Sequence, residues 1–175
     1  MAENIPAELS EKAKHIKIIA LDIDGTLTEG SIFMGPNGEE LKVFNVKDGH
    51  GLRKAEIHGI KIYLITAREA NQAIFQRMED LKIPRERVFH RVKSKTEAAD
   101  VILEREKLLL ANMAFMGDDE PDLSLLKRVG LSGAPIDACK TLIPEVDFVS
   151  RFAGGKGAVR EFIDLIIEGK KFDKN

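Results

Sequence analysis

The chain alternates between short apolar runs and longer stretches of helical period. Ile18–Leu21, Ile60–Ile65 and Met113–Gly117 read as strands covered on both faces, the pattern of a parallel sheet. Helical stretches separate them: residues 7–14, Asp48 to about His58, and Glu69 to Leu81, closed by Ile83-Pro84. A further helix runs from a capping box at Ser94 and Glu97 to about Lys107. Arg87–Val92 reads as a short strand, with others near Leu131 and Asp147–Val149, a helical turn near Cys139, and helices ending near Val129 and Glu168. Ile32–Met34 and Leu41–Phe44 flank a Gly-Pro-Asn-Gly cluster and read as a β-hairpin after the first strand. The alternation predicts an α/β fold with a parallel central sheet in a single domain over residues 1–175, with a mobile tail from Gly169.

Polar chemistry recurs where these strands end. Asp22 and Asp24 follow the first strand at spacing two, and Gly25 lets the chain turn away. By itself Asp-x-Asp-Gly also suits an ordinary surface turn. Thr66 ends the next long strand, Lys95 opens the helix beyond the short third strand, and Asp118, Asp119 and Asp122 follow Met113–Gly117. In a parallel sheet such ends converge along one edge, where open α/β sheets place ligands. Together they offer a hydroxyl, an ammonium and several carboxylates. That oxygen-rich set suits Mg²⁺ and has no Cys/His cluster to favour zinc. It describes metal-assisted phosphoryl transfer through a carboxylate nucleophile.

Composition narrows the classes. With 175 residues, 43% hydrophobic and 32% charged, the chain is long enough for a substantial core. A net charge of −2 gives no reason to expect nucleic acid or an anionic membrane as partner. The single cysteine, Cys139, excludes an internal disulfide framework. No apolar run has the length of a membrane span, and Met1–Lys14 lacks a signal-peptide core, so a cytoplasmic location is expected.

Asp22-Ile23-Asp24-Gly25-Thr26, Thr66, Lys95 and Gly117-Asp118-Asp119-x-x-Asp122 resemble, in order, the four motifs of the haloacid dehalogenase superfamily. The resemblance spans about Ile16 to Ile167 and implies a Rossmann-like three-layer α/β/α fold. It implies Asp22 as a nucleophile that becomes an aspartyl-phosphate, Asp24 as acid then base, and Thr66 and Lys95 on the phosphoryl group. Mg²⁺ would be held by Asp22, the backbone of Asp24 and Asp118, supported by Asp119 and Asp122. A second aspartate at Asp24 points to a phosphatase or phosphomutase rather than a dehalogenase or ion pump.

Spacing sharpens this. Thr66 lies 44 residues after Asp22 and Lys95 29 after Thr66, leaving no room for a helical cap domain. The stretch from Gly35 to Gly51 and Ala153–Glu161 resemble the 3-deoxy-D-manno-octulosonate 8-phosphate (KDO 8-phosphate) phosphatases of lipopolysaccharide precursor synthesis. That likeness implies a capless homotetramer whose hairpins associate and whose sites are completed by neighbouring subunits. The chain departs from the family pattern at Thr26, Ala67, His90 and Arg91. Substrate-binding candidates are Arg68 and Arg91 for a sugar carboxylate, with Gly49, His50 and Lys156 in the two matching stretches. The alternatives are a sister phosphatase for a nine-carbon ulosonate 9-phosphate and a non-catalytic assembly module like those appended to cytidylyltransferases.

Overall fold

The computed structural model describes residues 5–170. Six parallel strands form one sheet: β1 (Ile18–Leu21), β4 (Lys61–Ile65), β5 (Val88–Phe89), β6 (Met113–Met116), β7 (Leu131–Ala134) and β8 (Phe148–Val149), in the order β5-β4-β1-β6-β7-β8. Two further strands, β2 (Phe33–Met34) and β3 (Glu40–Leu41), pair antiparallel as a hairpin apart from the sheet. β1 is central, and the chain departs from it first toward β4 and later toward β6. Beside it lies the crevice that ligands use in such sheets.

Every residue of β1 and β6 is buried, and their side chains alternate between two cores. Ile19, Leu21, Ile62, Leu64, Ala114 and Met116 face one core. It is closed by α1 (Ala7–His15), α2 (Val46–Ile57), α3 (Gln72–Asp80) and α6 (Ala158–Gly169). Ile18, Ala20, Tyr63, Ile65, Met113 and Phe115 face the other, closed by α4 (Lys95–Glu106) and α5 (Leu123–Leu126). Continuous apolar runs are thus the sequence mark of strands packed on both sides.

The element boundaries shift where side-chain caps decide them. Asn45 accepts from the Lys47 N–H at 2.8 Å, so α2 starts at Val46, ahead of Asp48. Asn71 accepts from the Ile74 N–H at 3.2 Å, leaving Glu69 and Ala70 outside α3. β5 is two residues rather than six, because Arg85–Arg87 form a 3₁₀ turn first. Gly169, expected to open a mobile tail, is the buried last residue of α6; residues 171–175 of that expectation lie outside the described residues.

One tie holds the helices behind the site. Gly157, the cap residue of α6, has no side chain to offer, and Asp48 reaches over from α2 instead. Its carboxylate accepts the Arg160 N–H at 2.8 Å and the Gly157 N–H at 3.2 Å. Burial pushes the Asp48 carboxyl up, against the pull of those two donors. Asp48→Ala leaves both N–H groups unpaired in a buried setting and should cost about 1–3 kcal/mol. Urea unfolding checks this; a loss within ±0.5 kcal/mol, about the scatter of neutral surface substitutions, would contradict it.

Candidate active site

Strand register brings the chemistry together. Leu21 is level with Leu64 on one side and Met116 on the other, so Asp22, Thr66 and Asp118 emerge along one edge. Lys95, the first residue of α4, comes in from beyond β5 under the Ser94 cap, which accepts from the Glu97 N–H at 3.2 Å. A cavity of about 250 Å³ opens there, lined by Asp22, Asp24, Thr66, Ala67, Arg68, Lys95, Asp118, Asp119, Pro121 and Asp122.

Two of its carboxylates hold one ammonium, and a third lies close to both. Lys95 Nζ donates to Asp22 Oδ1 at 2.6 Å and to Asp122 Oδ1 at 2.5 Å. Asp22, Asp118 and Asp122 each bring an oxygen within 4.8 Å of the others. Burial raises Asp22 to about 6; Lys95 opposes the rise and Asp122 adds to it. Burial likewise lifts Asp118 to about 7, against the hydrogen bond from Thr26 and with repulsion from Asp22 and Asp122. Burial works to lower the pKa of Lys95, but Asp22 and Asp122 outweigh it and hold the ammonium above its usual value.

Three carboxylates against one fixed cation leave the pocket short of positive charge, and their hard oxygens fit Mg²⁺. Asp122 is already committed. Its Oδ2 accepts the Asp118 and Asp119 N–H groups at 3.0 and 3.2 Å, and its Oδ1 takes Lys95. Asp22 and Asp118 are therefore the carboxylates left to hold an ion, with Asp122 orienting the loop around them. Asp119 accepts the Glu120 N–H at 2.9 Å and caps the 3₁₀ turn Glu120–Asp122.

Thr66 is buried, and its hydroxyl accepts the Arg68 N–H at 3.1 Å. The Asp24 side chain turns away from the three carboxylates. It meets Lys42 of the hairpin and lies 3.6 Å from Arg68 Nε. Gly25 sits at φ +95° directly against Asp118, where a Cβ would stand 2.0 Å from Oδ2.

The remaining candidates lie elsewhere. Gly49 is buried in α2 beneath Arg77, and His50 is exposed on the same helix. Arg91, at φ +56°, pairs with Glu69 at 2.5 Å on the surface; its N–H donates to the Arg68 carbonyl at 3.0 Å. Lys156 pairs with Glu29 at 2.6 Å. The glycines before it pack on the loop behind Asp24, with the Gly154 Cα so close that a Cβ would fall 1.7 Å from the Gly25 carbonyl oxygen. None of these four residues lines the cavity. Sequence reading named Thr26 without its contact and missed two others. Thr26 is fully buried and donates to Asp118 Oδ1 at 2.7 Å, and Glu40 and Lys42 of the hairpin reach Arg68 and Asp24. For Glu40 and Lys42 the one signal in the sequence is the alternation Glu40-Leu41-Lys42-Val43, which reads equally well as charges pointing to solvent.

No family model matches the chain. The 3-deoxy-D-manno-octulosonate 8-phosphate phosphatase KdsC of Escherichia coli K12 is 42% identical over 163 residues, 93% of this chain and 85% of that protein. The crystal structure of the phosphatase of that name from Yersinia pestis superposes with a TM-score of 0.90 at 35% identity, covering 94% of this chain and 87% of the other. That from Moraxella catarrhalis, in complex with magnesium, phosphate and KDO, gives 0.89 at 33% identity over 95% and 94% of the two chains. A haloacid dehalogenase superfamily hydrolase of Legionella pneumophila also superposes, at 0.89. With its strand ends, buried carboxylates and lysine arranged as described, the chain belongs to the 3-deoxy-D-manno-octulosonate 8-phosphate phosphatase family of the haloacid dehalogenase superfamily.

Proposed function

We propose that this protein is a Mg²⁺-dependent phosphatase that hydrolyses KDO 8-phosphate to KDO and phosphate, a step of lipopolysaccharide precursor synthesis in the cytoplasm. The observation that carries the reading is the buried set of Asp22, Asp118 and Asp122 around Lys95 beside Thr66 and Asp24. Asp22 and Asp118, with the backbone of Asp24, would hold Mg²⁺, which supplies positive charge to the phosphoryl oxygens. Lys95 steers the Asp22 carboxylate and adds its own charge, and Thr66 offers a hydroxyl to the phosphoryl group. An Asp22 oxygen bonds to phosphorus as the ester P–O bond breaks, and Asp24 gives a proton to the departing sugar oxygen. Asp24 then takes a proton from water, whose oxygen attacks phosphorus and frees Asp22 and phosphate. Arg68, at the rim, is placed to meet the sugar carboxylate.

The chain is proposed as one capless domain, since only the hairpin and α2 separate β1 from β4 and only α3 and the 3₁₀ turn Arg85–Arg87 separate β4 from β5. Among the described residues no helix is long and apolar enough to cross a membrane. The hairpin leaves Ile32, Phe33, Met34, Leu41 and Val43 exposed together, an apolar face of the kind that marks a protein contact. That face supports a homotetramer in which neighbouring subunits close the open cavities; sedimentation distinguishes four subunits from fewer.

Substrate choice is tested by phosphate release with Mg²⁺ from KDO 8-phosphate, nine-carbon ulosonate 9-phosphates and hexose phosphates, with Asp22→Asn as the blank. The octulosonate ester should lead in kcat/KM by at least about tenfold. A nine-carbon ester in the lead would move the assignment to the sister activity, and wild type no better than the blank would leave an assembly module.

The raised carboxyls also set a pH dependence. With Asp22 near 6 and Asp118 near 7 when folded, the folded chain holds more protons than the unfolded chain between about pH 4 and 7. The stability they contribute is complete below the ordinary carboxylate range and is lost as pH rises through about 6 to 7. Unfolding in EDTA from pH 5 to 8 should show Asp118→Asn with a flatter decline than wild type. Equal slopes would contradict the charge crowding.

A further inference from the structure

The hairpin is patterned inside out. On its second strand and just after, Leu41 and Val43 are 63% and 55% exposed, whereas the side chain of Lys42 between them is only 2% exposed. Successive side chains of an extended segment point to opposite faces, so the apolar groups look outward and the ammonium looks in. Inside, Lys42 Nζ meets Asp24 Oδ1 and lies 2.6 Å from Glu40 Oε1; the latter contact is an ion pair without the geometry of a directed hydrogen bond. Burying an ammonium costs more than a solvent-exposed ion pair returns, and a methionine would fill the same space without that penalty. What the charge adds is direction.

Asp24 is flanked on both oxygens, by Lys42 at Oδ1 and by Arg68 Nε at Oδ2, 3.6 Å away. Glu40 spaces the two cations, since its Oε2 accepts from Arg68 at 2.7 Å while Oε1 faces Lys42. The Glu40 carbonyl accepts from Asn71 Nδ2 at 3.1 Å, fastening this strand to the cap of α3. The network joins the hairpin to the side chain assigned above to proton transfer.

We propose that Lys42, set by Glu40, is a positioning residue for the acid–base carboxylate of Asp24, so that the hairpin completes the active site of its own subunit. The inference rests on the phosphatase reading and on Asp24 as its proton donor. With Lys42 removed, the carboxylate is free to turn toward Arg68 alone, and delivery of a proton to the leaving oxygen suffers. An ester whose leaving group needs no proton is spared.

The test compares kcat/KM for KDO 8-phosphate, an alkyl ester, with that for p-nitrophenyl phosphate, whose leaving group departs as the anion, in wild type, Lys42→Met and Lys42→Arg with Mg²⁺. The ratio of the two should fall at least about tenfold in Lys42→Met, a fraction of what general acid catalysis supplies, and recover at least in part in Lys42→Arg. A purely structural lysine would lower both esters alike, and equal losses or none would overturn the role. If Lys42→Met does not fold, Glu40→Gln carries the same comparison, with a smaller fall in the ratio expected and equal losses again fatal. Wild type inert toward both esters would sink the phosphatase reading itself, a result distinct from an active wild type whose variants keep the ratio.

Discussion

The ammonium of Lys95, buried between Asp22 and Asp122 with Asp118 alongside, is the constraint around which the rest of the molecule is arranged. Taking one cation and three carboxylates out of water costs several kcal/mol per ion unless each charge is met. Asp122 is met by two backbone N–H groups as well as Lys95, and Asp118 by the Thr26 hydroxyl. Asp22 is met by Lys95 and the Ile23 backbone N–H, and it faces the cavity. Burial leaves Asp22 and Asp118 raised to about 6 and 7, so both carboxyls remain short of positive charge at the cavity.

The fold keeps that arrangement rigid from behind. Register around β1 fixes the strand ends, and the glycines at 25 and 154 let two loops and the Asp118 carboxylate come closer than any side chain would allow. Asp48 ties the start of α6, and with it the loop that packs behind Asp24, to α2. The hairpin alone stands outside the sheet. Its inward charges reach the site while its outward apolar residues stay exposed.

Much of this was legible in the sequence, for physical reasons. Ile18–Leu21 and Met113–Met116 are apolar throughout because both their faces are covered, and once they are strands the positions of Asp22 and Asp118 follow. Lys95 could be placed because Ser94 and Glu97 mark the start of its helix. What stayed hidden depends on contacts between distant segments. Lys42 reads as a solvated strand residue until Asp24 is seen beneath it. Gly154 and Gly155 lie in a stretch that family likeness sets beside a substrate-binding candidate, yet in space they serve close packing against Gly25 and Thr28. Asp48 belongs to a stretch that family likeness associates with substrate, whereas in space it caps another helix. The starts of α2 and α3 moved because Asn45 and Asn71 cap them, a choice that periodicity alone does not reveal.

If the crowded carboxylates of Asp22 and Asp118 hold a cation, calorimetric titration of the purified chain with Mg²⁺ should show it. One ion per chain is expected, with binding weakened severely by Asp118→Asn. Because Asp22 and Asp118 hold protons to about pH 6 and 7, binding at pH 6 should release more protons than binding at pH 8. Mg²⁺ binding undiminished in Asp118→Asn, or no saturable binding to the wild type, would contradict it.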